Sequence, residues 1–457
     1  MRNIFILLFT LICLSNCRKD EHITTDPNAR LAFSTDSILF DTIFTTVGST
    51  VKRIKILNKN NLAINISEIS LANGNNSSFS ININGEYGIG KQNIIINAGD
   101  SINLFVKATI NPNNKALPFL VQDSILFTTN GNKQTIQLLA YGQNAIFINA
   151  SSIITDTTWT SDLPYIISGA ATVKNNSTLT ILPGAKIYFH ADASLNIEGK
   201  LNAVGTIDKP ILFCSDRLES AFANVPGQWK GIYLNASGTG IISYTTIKNA
   251  SVGLTSDSLS VNVNPKLLLS NSIIKNMQVA GYIGYHSELT AFNNLFYNCG
   301  NYLIYGVGGG NYNLKQNTFT GYNLNFPRKT ASVSFSDYQS ARMTNALSLN
   351  LTNNIIWGSL INEFEIERKT NAVLQSNLFN NLIKTVNTSY ANNGNILNLD
   401  PGFISPGLEN FELLATSPAI KKGLNLSSDV FFSNYLNRDL KNTLRAFPSS
   451  MGCYEKK

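Results

Sequence analysis

Tyr244-Thr-Thr-Ile-Lys-Asn249, Asn271-Ser-Ile-Ile-Lys-Asn276, Asn293-Asn-Leu-Phe-Tyr-Asn298, Gln316-Asn-Thr-Phe-Thr-Gly321, Asn353-Asn-Ile-Ile-Trp-Gly358 and Ser376-Asn-Leu-Phe-Asn-Asn381 read as six versions of one phrase, an Asn-rich turn followed by an apolar pair. Their starts lie 27, 22, 23, 37 and 23 residues apart. A short base period that tolerates insertion is what a parallel β-helix produces, because each coil is three short strands and a corner loop can lengthen without disturbing the stack. Backbone hydrogen bonds then run to the coils above and below, about 4.8 Å away, and like residues stand over one another. Asn suits the corners: it tolerates left-handed backbone angles, and its amide can bond to the amide one coil on. Leucine-rich repeats share the period, but their Leu-x-x-Leu-x-Leu signature is missing from these phrases.

Upstream, Leu179 and Ile181, Leu195 and Ile197, Leu201 and Ala203, and Ile211 and Phe213 are alternate positions that would face a common core. Pro183-Gly184 and Gly199 would turn the corners. The run from Ala170-Ala171-Thr172-Val173 through Ser177–Gly184, Leu195–Thr206 and Lys209–Phe213 to Pro226–Ile232 resembles the opening coils of right-handed parallel β-helix proteins of the pectin-lyase-like superfamily. Asp400-Pro401-Gly402-Phe403, Phe411-Glu412-Leu413, Ser417-Pro418-Ala419-Ile420 and Gly452-Cys453-Tyr454-Glu455 resemble the closing module of such proteins. Residues 29–145 read instead as short alternating strands, among them Ser37–Phe40, Val51–Leu57, Ser101–Val106 and Thr135–Leu139, and resemble the immunoglobulin-like module at the front of many surface lipoproteins. The expected fold is all-β: a small antiparallel β-sandwich over 29–145, a right-handed parallel β-helix over 146–398 and a closing module over 399–457. The sandwich and the closing module would cap the two open ends of the coil.

The amino terminus carries one basic residue, Arg2, and an apolar run from Ile4 to Leu14, too short for a membrane span and suited to a signal peptide over 1–16. The run ends at Leu14-Ser15-Asn16-Cys17, which resembles a lipobox, with Asn16 where Gly, Ala or Ser is usual. That resemblance implies lipid attachment at Cys17. Arg18-Lys19-Asp20-Glu21 resembles the export signal that carries some lipoproteins to the outer face of the outer membrane, and residues 17–28 would be a tether. Cys214, Cys299 and Cys453 are far apart and odd in number, so a disulfide framework is not expected.

Charged residues are only 14% of the 457, and the net charge of +7 comes from Lys and Arg scattered along the sequence, which does not suggest a nucleic-acid footprint. No cofactor is expected, and the chain is read as a monomer. Catalytic patterns of pectin-lyase-like hydrolases are missing: there is no Asp-Asp and no Gly-His-Gly, and the one Arg-Ile-Lys, Arg53 to Lys55, falls in the sandwich. His22, His190 and His286 lack metal-ligand spacing. Glu363, Glu365 and Glu367 alternate with Phe364 and Ile366, which places all three carboxylates on one strand face as weak catalytic or cation-binding candidates. The stronger signal is aromatic. Seven Tyr and four Phe crowd the segment from Tyr282 to Phe326, and Tyr302, Tyr305 and Tyr312 are the candidate contacts for sugar rings. The reading favoured is a non-enzymatic surface lipoprotein that binds a polysaccharide or another envelope component; a polysaccharide lyase or glycoside hydrolase, and a structural spacer or adhesin, are the alternatives.

Overall fold

A computed structural model describes residues 22–322, 327–340 and 343–456. The signal segment, Cys17 and the Arg18–Glu21 signal lie outside the described residues. The chain divides into two compact units, 1–144 and 145–457.

The first unit is a sandwich of two five-stranded sheets. One orders Ala32–Phe33, Lys52–Leu57, Ser101–Ala108, Phe79–Ile83 and Glu86–Gly88; the other orders Ser37–Phe44, Asn132–Gln143, Phe119–Thr129, Ile64–Leu71 and Gly90–Ile96. Alternation along each strand turns Ile38 and Phe40, Ile54 and Ile56, Leu104 and Val106, and Ile136 and Leu138 into one shared core. The sandwich is not antiparallel throughout, as the sequence suggested: Ser37–Phe44 runs parallel to Asn132–Gln143, with Ser37 opposite Gln137 and Phe44 opposite Gln143. Period-two alternation reports which side of a strand is buried and is silent about the direction of its neighbour.

The second unit is a three-faced parallel β-helix. Face one is an eleven-stranded parallel sheet that begins at Ile146–Ile148 and ends at Ile396–Leu397. Face two starts at Ser152–Ile154 and face three at Thr157–Trp159; they merge into one sheet where Ala280–Phe292 and Tyr302–Lys315 run through the corner between them without a break. The repeated phrases stack in register on face one, with Thr246, Ile273, Leu295, Thr318, Ile355 and Leu382 each opposite the next. That register corrects the sixth phrase. It begins at Asn380, not Ser376, whose neighbour Asn377 pairs with Asn350 on face three. Asn-Leu-Phe and Asn-Leu-Ile look alike locally, and stacking across coils is what separates them.

Tyr244, Asn271, Asn293, Gln316, Asn353 and Asn380 occupy the corner with φ of 45°, 46°, 55°, 59°, 58° and 50°, the left-handed region that Asn tolerates. The residue after each of the last four points inward, and these buried amides form a ladder that the half-buried Asn395 extends. Asn294, Asn317, Asn354, Asn381 and Asn395 are linked Nδ2 to Oδ1 at 3.0, 3.0, 2.9 and 3.0 Å. Apolar side chains fill the rest of the coil, including the parallel stack of Phe189 on Trp229 at 3.9 Å. Cys214, Cys299 and Cys453 are buried, and none of them is in a disulfide.

The carboxyl-terminal segment does not close the end of the coil as expected. It lies along the outer side of face one, where Phe403, Phe411, Leu413, Leu440 and Met451 cover Leu295, Tyr297, Ile355, Trp357 and Leu382. Polar ties hold it there: Lys275 to Glu409 at 2.7 Å, Arg445 to the Asn293 side chain at 2.8 Å, and the Asn293 amide to the Arg438 carbonyl at 2.8 Å. The outward positions of these coils are apolar and must be covered. The last coil is instead covered by the residues that follow Lys384, with Tyr390 edge-on to Phe364 at 5.3 Å and Leu397 packed on the core.

Candidate functional site

The outer side of face two gathers the unusual side chains. Tyr233, Thr255, Ile283, Tyr305, Ser334 and Glu365 stand in register on successive coils. Their neighbours Leu254, Tyr282, Ile304, Val333 and Phe364 are buried in the core, so alternation turns this column outward. Two residues along, Tyr285 and Glu367 also point outward and are exposed. The Tyr302 and Tyr305 rings lie parallel, 4.2 Å apart and 7° from coplanar. Beyond Ser336 the hairpin of Tyr338–Ser340 and Met343–Thr344 rises beside them. The Tyr338 hydroxyl donates to Glu367, and the Lys369 ammonium sits 4.1 Å from the centre of the Tyr338 ring.

The turn after Glu367 is fixed by Asp337. Burial alone would push its carboxyl up, but the Lys369 backbone N–H, the Thr370 hydroxyl and Arg368 hold it below the usual carboxylate range. The groups on the wall shift the other way. Burial and then the Tyr302 ring beside it push Tyr305 up to about 12, and burial followed by Glu367 and Glu365 raises Tyr302. Burial and then the Glu367 charge raise Glu365. Both phenols therefore remain hydroxyls, able to donate and accept, at any physiological pH.

Two sequence candidates lie elsewhere. Glu363 precedes the strand Phe364–Glu367 and turns inward, where Arg328 grips both carboxylate oxygens at 2.6 Å and neither side chain is exposed. Gly321 and Gly358 leave the room: a Cβ on Gly358 would meet the Glu363 carboxylate at 2.3 Å. Tyr312 is also buried, against Phe335 at 4.7 Å. The long strand passes a corner at Gly308-Gly309-Gly310, all with positive φ, and this resets which residues face the core. The three glycines were the signal for that corner. Tyr338 was missed because it lies outside the Tyr-rich segment, and nothing local marks its approach to Glu367.

Among the described residues no group of three His, Cys, Asp or Glu side chains stands close enough to hold a metal ion. His190 does form a pair, its Nδ1 2.7 Å from Asp216, far from the tyrosine wall in the order of coils. The two wall carboxylates sit side by side on one strand, among phenols, with Lys369 engaged by Tyr338. Such a surface can stack on a flat ring and exchange hydrogen bonds with hydroxyls.

Fold and site together define an all-β chain made of a sandwich and a parallel β-helix whose wall bears stacked tyrosines edged by carboxylates. No family model matches the chain, and no curated protein matches it. Among solved structures, the ASH/PapD-like domain 7 of human CEP192 aligns over 28% of this chain and 95% of that one, with 10% identity and a TM-score of 0.18. A family 123 glycoside hydrolase from Clostridium perfringens aligns over 27% of this chain and 26% of that one, with 15% identity and a TM-score of 0.19.

Proposed function

We propose that this protein is a non-enzymatic cell-surface lipoprotein, with an immunoglobulin-like sandwich and a pectin-lyase-like coil, which is held at the outer membrane through Cys17 and binds a glycan on the outer wall of face two. The observation that carries the reading is the parallel Tyr302 and Tyr305 pair with Glu365 and Tyr338 beside it. Aromatic faces stack on the apolar face of a sugar ring, and flanking carboxylates and phenols hydrogen-bond its hydroxyls. An array of plant, algal and host glycans should yield at least one ligand, and Tyr305→Ala should weaken it by about tenfold, which corresponds to ~1.4 kcal/mol. An array and envelope fractions that bind neither parent nor variant would remove the reading. The location has its own test. Cys17→Ala should release the protein from the membrane or leave it unprocessed, whereas alanine at Lys19, Asp20 and Glu21 should keep the lipid but hide the protein from protease added to intact cells.

A second reading, a polysaccharide lyase or glycoside hydrolase, draws on the raised Glu365 carboxyl, since a general acid needs such a shift. Product release from a polysaccharide, abolished by Glu365→Gln, would favour it.

A further inference from the structure

The Lys and Arg residues look scattered in sequence, but the coil gathers four of them. Lys186, Lys209, Lys248 and Lys275 line one shallow hollow on the outer side of face one, floored by Gly184, Pro210, Leu212 and Thr246. Register explains the convergence: Lys186, Leu212, Thr246 and Ile273 are opposite one another on successive strands, and Lys248 is opposite Lys275. Lys209 joins from the turn before Ile211–Ser215. The hollow adjoins the carboxyl-terminal segment at the Lys275 to Glu409 ion pair of 2.7 Å.

We propose that this hollow is a second binding surface, which takes a polysaccharide carrying sulfate or phosphate ester groups. Charge is the first argument. Asp208 is the one carboxylate in the lining, and Lys186, Lys209 and Lys248 form no ion pair among the described residues. Glu409, held by Lys275, is the second carboxylate at the edge, so four ammonium groups face two carboxylates. Ammonium groups that outnumber their counter-charges repel one another, and an anion between them removes that cost. Geometry is the second. Strands one coil apart are about 4.8 Å apart, so Lys248 and Lys275 stand one step apart and Lys186 lies two steps before Thr246, roughly 10 Å. Positive charge thus recurs along the coil axis, which suits a polymer with repeated anionic groups better than a single small ion. Side-chain chemistry is the third. The lining is built from Lys, a compact point charge on a flexible stem that binds a phosphate or sulfate oxyanion from many directions, as a polymer with irregularly placed esters requires.

The test uses the full mature chain with dextran sulfate, a phosphomannan, unmodified dextran and polygalacturonate as probes. Dextran sulfate or the phosphomannan should bind, with affinity falling as salt rises, and which of the two binds more tightly tells sulfate from phosphate. Lys186→Gln with Lys209→Gln and Lys248→Gln should weaken that binding at least tenfold and flatten its salt dependence. All three side chains are exposed or half-exposed, so the unfolding midpoint should stay at the parental value; Lys186→Glu alone provides a milder variant with the same expected direction. A control with Lys59→Gln, Lys115→Gln and Lys133→Gln, exposed lysines of the sandwich, should bind as the parent does. Tyr305→Ala should also leave this binding intact, which separates the hollow from the tyrosine wall. The proposal is overturned by absence of binding to both esterified polymers, by an equal loss in the control, or by polygalacturonate binding as tightly.

Discussion

Glu363 and Glu365 stand two residues apart with the same side chain, yet their surroundings assign them opposite work. Glu363 accepts from Arg328 at 2.6 Å on both oxygens and from the Leu360 backbone at 2.8 Å, with no exposure. Glu365 is half-buried on the tyrosine wall beside the like charge of Glu367. A buried pair is costly to break because the surviving charge is left uncompensated. Glu363→Gln should therefore destabilise the protein by about 3 kcal/mol, read from the urea midpoint. Glu365→Gln should change stability by no more than about 0.5 kcal/mol while altering ligand binding. Equal midpoints for the two variants would contradict the assignment of Glu363 to the interior. Alternation in the sequence placed both residues on one face because it has no means of knowing where a strand begins, and Glu363 sits one residue before it.

At the scale of the element, the same limit explains what could be read and what could not. The coil was legible because an Asn at a left-handed corner and an inward Asn beside it each recur in four of the six phrases, and each is a local requirement repeated by stacking. Register was legible only where the phrases differ from other Asn-rich strands, which is why Ser376 passed for Asn380. The lysine hollow was invisible for a related reason: it depends on which residues of separate coils stand opposite one another. The ladder makes the register testable. Asn317 bonds on both sides: its Oδ1 takes the Asn294 N–H at 3.0 Å and the Asn294 amide at 3.0 Å, and its Nδ2 gives to the Ala291 carbonyl at 2.9 Å. Removing it orphans several buried polar groups, each worth about 1–3 kcal/mol. Asn317→Ala should cost about 3 kcal/mol or more in urea unfolding, whereas Asn377→Ala, which breaks one exposed bond to Asn350 at 2.9 Å, should cost about 0.5 kcal/mol. A large loss at Asn377 would mean that the sixth coil is registered four residues earlier.

For the β-helix as a whole, the placement of the carboxyl-terminal segment decides what kind of stability it contributes. A segment that capped the last coil would protect one open edge, and its removal would fray the coil from that end. This segment instead shields a line of outward side chains that crosses several coils: Leu295, Tyr297, Ile355, Trp357 and Leu382. It also holds Asn293 and Asn353 at their corners, through Arg445 and through the Leu424 carbonyl at 2.9 Å. The end of the coil keeps its own cover in Tyr390 and Leu397. A chain that ends at Leu399 should therefore retain most of its strand content by far-ultraviolet circular dichroism, because the ladder and the interior of every coil remain. It should also bind a hydrophobic dye and self-associate on a sizing column, since two aromatic and three aliphatic side chains on one surface make a patch of several hundred Å². A truncated chain that stays monomeric and dark to the dye, but loses its strand signal from the last coils, would show that the segment works as an end cap after all.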